Sequence, residues 1–186
     1  MGHGADIIEV LKADHRGVQA MFDKINALAP GDVRRREIAD TFTIELVRHA
    51  VAEERYLYPA VRAHIPGGDA IADQEIADHA AVEELLTRLE VVDADRYQFD
   101  ALVSSVISEV VAHVADEEIR LFPVLAHACT PGQLNELGAN VRSARDEAPA
   151  GPHPAAPSAT PMGRLLAPGT GLVARVRDLL TGRGRT

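Results

Sequence analysis

From Ile8 the apolar positions fall at Leu11, Val18, Phe22 and Ile25, the three-and-four spacing that gathers side chains into one stripe of an α-helix. His15 takes the place in that stripe between Leu11 and Val18. Pro30-Gly31-Asp32 breaks the pattern. A second helix is predicted from about Val33, its stripe of Ile38, Phe42 and Leu46 continuing through His49, Glu53 and Tyr56. After the break at Ile65-Pro66-Gly67-Gly68-Asp69, a third stripe holds Ile76, His79, Val82, Glu83, Leu86 and Leu89. A fourth follows Asp93-Ala94-Asp95 with Leu102, Val106, Val110, His113, Glu117, Leu121 and Val124. Four amphipathic helices on short connections predict an all-α chain, an antiparallel up-down-up-down four-helix bundle made of two similar hairpins. Pro59 and Pro123 each remove a backbone hydrogen bond and are expected to bend or end their helices.

The periodicity weakens beyond Pro131. Leu134, Leu137 and Val141 keep a helical spacing within a short helix predicted over 133–145. Residues 148–161, APAGPHPAAPSATP, are a linker by composition, too poor in large apolar groups to fold alone. Gly171 to Leu180 reads as a short basic amphipathic helix, expected to lie on the acidic bundle or stay detached from it, ahead of any membrane or partner role. The expected division is therefore a bundle over 1–147 and a Pro/Ala-rich linker with a basic tail over 148–186.

Within the bundle the chain matches itself at an offset of 64 residues, since Ala13-Asp14-His15 recurs as Ala77-Asp78-His79. Likewise His49-x3-Glu53-Glu54-x2-Leu57-Tyr58-Pro59 recurs as His113-x3-Glu117-Glu118-x2-Leu121-Phe122-Pro123. Side chains four apart on a helix lie one turn apart and about 40° apart in azimuth. His49 with Glu53, His113 with Glu117, and His79 with Glu83 therefore each share a face. Glu54 and Glu118 turn away by roughly 140° and fall to an outer layer or to solvent. A single histidine on an apolar stripe is ordinarily a satisfied core residue. Four histidines and at least two carboxylates in one bundle interior are another matter, because burying ionised carboxylates unpaired costs many kcal/mol, which a pair of metal ions would offset.

Composition narrows the chemistry. With 186 residues, 46% hydrophobic, the chain can bury a substantial core. The single cysteine, Cys129, supplies no thiolate cluster, so a metal here must take nitrogen and oxygen ligands. Net charge is −9 and residues 148–186 hold five Arg against one Asp, which leaves −13 on the remainder and argues against nucleic-acid binding. No apolar run reaches the roughly 18 to 20 residues of a membrane span, and the N-terminus lacks a signal-peptide pattern. A cytoplasmic location is expected.

The doubled pattern resembles the hemerythrin family, in particular bacterial hemerythrin-like proteins of the His-His-Glu cation-binding type, over roughly residues 6–128. The resemblance implies an oxo- or hydroxo-bridged non-haem centre of two iron ions. One iron would take His15, His49 and a shared Glu53, the other His79, His113 and a shared Glu117. Glu83 corresponds to a position that is histidine in the oxygen-carrying members, and its repeat counterpart is Gln19, so the two irons should be inequivalent. Zinc and manganese also suit imidazole and carboxylate donors.

That third carboxylate bears on function. Anionic oxygen ligands stabilise Fe(III) over Fe(II) more than neutral imidazole does. Chemistry or sensing with peroxide, oxygen or nitric oxide is therefore expected ahead of reversible oxygen carriage, and the resemblance, since related bacterial proteins of this type include some that decompose peroxide, implies catalase-like peroxide decomposition. The alternative is a non-catalytic di-iron module that binds oxygen or nitric oxide, or stores or senses iron. Two phenols compete for the site: an ideal helix points Tyr56 inward and Tyr58 outward, unless Pro59 distorts the turn. The family resemblance favours Tyr58, as a proton donor or a ligand.

Overall fold

The computed structural model describes residues 5–146 and 171–181. Helix α1 (Ile7–Asn26) starts at an Asp6 cap whose carboxylate accepts from the Glu9 amide while Glu9 reaches back to the Asp6 amide. That reciprocal capping box satisfies two of the amides a helix start leaves open. Helix α2 (Arg34–Ala52) passes through a π turn (Glu53–Leu57) into α3 (Tyr58–His64). Helix α4 (Gly68–Glu90) is followed by α5 (Tyr97–Asp116), which passes through a second π turn (Glu117–Leu121) into α6 (Phe122–Ala128). Two further helices complete the described chain, α7 (Pro131–Asp146) and α8 (Leu172–Thr181). The four long rods expected from the apolar stripes are thus α1, α2–α3, α4 and α5–α6, and they form a four-helix bundle. At the turn into α4, Gly67 adopts φ 75°, a left-handed conformation that glycine takes without steric cost.

The π turns explain how the chain passes its prolines. Pro59 and Pro123 carry no N–H, and in an α-helix each ring would press on the carbonyl four residues back. Widening the preceding turn relieves both problems: the Tyr58 amide donates to the Glu53 carbonyl and the Phe122 amide to the Glu117 carbonyl, each five residues back. The rods do not stop there; helical structure runs on through each π turn, which adds one residue.

Two apolar clusters fill the bundle. One gathers Val18, Phe22, Phe42, Leu86, Phe99 and Val106, and Leu172, Val173 and Val176 of α8 join it. The other gathers Leu11, Leu57, Val61, Phe122, Leu125 and Val141, under α7. On α1 His15 falls between Leu11 of one cluster and Val18 of the other, and His49, His79 and His113 mark the same boundary on their own rods. The polar belt is the seam between two apolar clusters.

Helix α8 packs along α2 and α4, so the basic tail lies on the acidic bundle. The linker expected over 148–161 lies outside the described residues. None of the described helices is long and apolar enough to cross a membrane.

Candidate metal centre

His15 Nε2 and His49 Nε2 lie 3.2 Å apart, and so do His79 Nε2 and His113 Nε2. Ring centroids are 4.8 Å apart in both pairs. Two carboxylates join the pairs. Glu53 brings Oε1 to 3.0 Å from His49 Nε2 and Oε2 to 3.2 Å from His79 Nε2. Glu117 brings Oε2 to 3.4 Å from His15 Nε2 and 3.7 Å from His113 Nε2. Each glutamate is fully buried.

Side chains here form groups able to hold metal: His15, His49, Glu53 and Glu117 in one, Glu53, His79 and His113 in another, and Glu75, His113 and Glu117 in a third. Neighbouring donors about 3 Å apart match the edge between adjacent ligands on one ion bound at about 2.1 Å. Among the described residues, neither oxygen of Glu117 nor Oε1 of Glu53 hydrogen-bonds to the protein. Carboxylates so placed need a cation, and a nitrogen and oxygen donor set suits a first-row divalent ion.

The electrostatics of the protein alone point the same way. Burial works against a charged His49, yet the adjacent Glu53 carboxylate and the Asp14 contact outweigh it and raise its pKa to about 10. For His79 burial is likewise outweighed, by Glu53 and Glu54, and the value rises to about 9. Burial and repulsion from Glu53 push Glu117 up, whereas Glu53, in spite of burial, is held well below the usual carboxylate range by His49 and His79. Without a cation, the two buried carboxylates favour protonated imidazole at His49 and His79.

An outer ring of carboxylates faces the four Nδ1 atoms. Glu118 stands 2.8 Å from His15, Glu75 3.0 Å from His113, Asp14 3.6 Å from His49 and Glu54 3.6 Å from His79. Glu54 and Glu118 thus sit in the outer layer, as their helical angle implies. Asp14 and Glu75 escaped the sequence reading. Asp14 lies beside a histidine but serves the one on the neighbouring helix; Glu75, four residues before His79, shares that residue's face.

Tyr58, not Tyr56, reaches the site. A π turn sets residue i+5 over residue i, and so Tyr58 overlies Glu53, with Oη 3.1 Å from His79 Nε2 and 3.5 Å from Glu53 Oε2. Burial and the Glu53 charge raise its pKa, so the hydroxyl keeps its proton. Tyr56 lies half-buried beneath the Arg55 guanidinium. In the other half Phe122 replaces the phenol and stacks on His15, centroids 5.9 Å apart at 6°.

Glu83 stands apart from the six converging residues. Its Oε1 accepts from Arg177 Nε and Nη2 at 2.9 and 2.7 Å, and none of the metal-capable groups among the described residues includes it. The same guanidinium holds Glu54 at 2.9 and 3.0 Å. Arg177 lies 94 residues from Glu83, beyond the reach of any local pattern. Glu83 instead helps line a cavity of about 30 Å³, walled by the four histidines and by Val47, Val82 and Val110. A larger groove of about 340 Å³ between α1 and α5 has His15 and Phe22 in its lining and Glu118 and Ile119 at its side.

Comparison with known proteins places this geometry. The profile of the hemerythrin HHE cation-binding domain matches residues 6–125. An uncharacterized hemerythrin-like protein of Schizosaccharomyces pombe is 22% identical over 94% of this chain and 86% of its own length. A DNA nickase of Nostoc sp. is 25% identical over 76% of this chain, which spans 40% of that relative. Among solved structures, the hemerythrin HHE cation binding domain-containing protein of Mycobacterium kansasii, an Rv2633c homolog, superposes with a TM-score of 0.75 at 21% identity, covering 93% of this chain and 99% of that one. The doubled His and Glu pattern, the bundle that makes it converge and the matched profile agree: the chain belongs to the hemerythrin HHE cation-binding family.

Proposed function

We propose that this chain is a non-haem di-iron protein that reacts with hydrogen peroxide or oxygen, with catalase-like peroxide decomposition as its activity. The observation that carries the reading is the pair of buried carboxylates, Glu53 and Glu117, each shared between two histidine pairs. His15, His49, Glu53 and Glu117 would hold one iron, and His79 and His113 the other, with the same two carboxylates between them. Iron bound there would supply two-electron redox chemistry, as needed to reduce one peroxide to water and oxidise a second to oxygen.

The protein's own part is binding, proton supply and exclusion of bulk solvent. A cavity of about 30 Å³ against the histidines admits a molecule of peroxide size. Tyr58 Oη holds a proton beside His79 and Glu53, where a departing oxygen would need one. Glu118 accepts from His15 Nδ1, and the other outer carboxylates stand 3.0 to 3.6 Å from the remaining Nδ1 atoms, where their charge favours a proton on Nδ1 and leaves the Nε2 lone pairs free. The apolar wall of Val47, Val82 and Val110 also favours a second reading, a module that binds oxygen or nitric oxide without turnover.

Peroxide decay followed with an oxygen electrode decides between them. Iron-loaded protein should release about one oxygen for every two peroxides consumed, and metal-free protein none. Equal release from both would leave the binding module standing.

A further inference from the structure

Glu75 is 3% exposed, and its Oε2 stands 3.0 Å from His113 Nδ1. Nothing in the repeat demands it. The counterpart of Glu75 in the first half is Leu11, an apolar residue of the lower core. Conversely Asp14, which faces His49, has its counterpart in Asp78, and that residue accepts from Gln74 at 2.8 Å on the exposed side of α4. The second hairpin therefore replaces an aspartate one residue before its histidine with a glutamate four residues before. The exchange moves the carboxylate onto the face of His79 and across to His113 on the adjoining helix.

The consequence is an ordering among the four rings. His15 and His113, which flank Glu117, have carboxylates at 2.8 and 3.0 Å, whereas His49 and His79, which flank Glu53, have theirs at 3.6 Å. Of the two close carboxylates Glu118 is partly exposed and Glu75 is buried. The Glu75 carboxylate, buried 3.0 Å from His113 Nδ1 although not in hydrogen-bond alignment with it, favours the proton on that nitrogen by its charge and so makes Nε2 the stronger donor.

We infer that Glu75 is a positioning residue of the centre: acting through His113, it supplies the third negative charge that the ligand pattern assigns to Glu83. The inference rests on the di-metal reading above. Glu75 shares a metal-capable group with His113 and Glu117, but it meets His113 at Nδ1, whereas His79 and Glu117 meet that ring at Nε2; its charge therefore acts through the ring, strengthening binding and favouring the more oxidised state.

The test compares wild type, Glu75→Gln, Glu75→Leu and Asp78→Asn by ferrous-iron titration against a chromophoric chelator, by reduction potential and by melting temperature. Glu75→Leu should weaken one of two iron positions by roughly 10–100-fold. Glu75→Gln, nearly isosteric, should keep the melting temperature of the metal-free protein while making the potential more positive. Asp78→Asn should match wild type in every readout. Wild-type affinity in both Glu75 variants, with an unmoved potential in Glu75→Gln, would overturn the inference; if Glu75→Leu fails to fold, Glu75→Gln decides. A wild-type chain that binds no pair of ions would overturn the reading of the site, and this inference with it.

Discussion

Two seams of the bundle are related by the 64-residue repeat, and the chain has treated them differently. Between α2 and α4 lies α8, whose Leu172, Val173 and Val176 enter the core and whose Arg177 joins Glu54 of the first hairpin to Glu83 of the second. The corresponding seam, between α5 and α1, has Glu118 in place of Glu54 and Gln19 in place of Glu83, and it holds a groove of about 340 Å³. Behind the covered seam stands the half with Tyr58. Behind the open one stands His15, stacked on Phe122. The repeat gives two like half-sites; Tyr58 against Phe122 within the motif, and α8 outside it, make one covered and protic and leave the other apolar beside an open groove.

Breaking the cover should have the largest effect. Arg177→Ala leaves Glu54 and Glu83 without their shared guanidinium, which otherwise draws Glu54 down to about 2 in concert with His79 and against its burial. Lost hydrogen bonds between charged groups cost roughly 2 kcal/mol, or about 4–8 °C in melting temperature for a chain of this size. Hydrogen exchange in α2 and α4 should quicken while α1 and α5 stay unchanged. Uniform exchange across both seams would mean that α8 is no cover.

Alkaline titration of the metal-free protein comes next. His49 and His79 have pKa values raised above 6.5, to about 10 and about 9. A raised folded-state pKa contributes stability that is full below the unfolded value and disappears as pH climbs through the folded one. Metal-free protein should therefore lose melting temperature between about pH 6.5 and 10, by roughly 2–4 °C for each kcal/mol lost. Metal-loaded protein, whose imidazole nitrogens are held by ions instead of protons, should stay flat across that range. The same slope in both forms would contradict a shared site.

Tyr58→Phe makes the two halves alike and should change stability least, by about 1 kcal/mol or less. Its mark should fall on chemistry: slower peroxide turnover at unchanged iron content. Full activity in this variant would show the phenol to be a packing residue.

Much of this architecture was legible in the chain. Apolar spacing gave the four rods, and the doubled motif named six side chains that do converge, because on regular helices azimuth follows from residue number alone. Legibility failed where helices stop being regular. Counting at 100° per residue points Tyr56 inward, and the π turn ahead of Pro59 moves that place to Tyr58. It also failed where partners are distant in sequence. Glu83 has the right face for a ligand, but Arg177 of α8 claims its carboxylate. Glu75 had the right face too, and only the packing of α4 on α5 shows that it meets His113.

Metal analysis of the aerobically purified chain, read together with its near-ultraviolet spectrum, tests the shared centre most directly. Growth in iron-replete medium should yield about two irons per chain, as two histidine pairs joined by two carboxylates require, with charge-transfer bands of an oxo-bridged diferric pair. One ion per chain, or zinc in place of iron, would contradict the account.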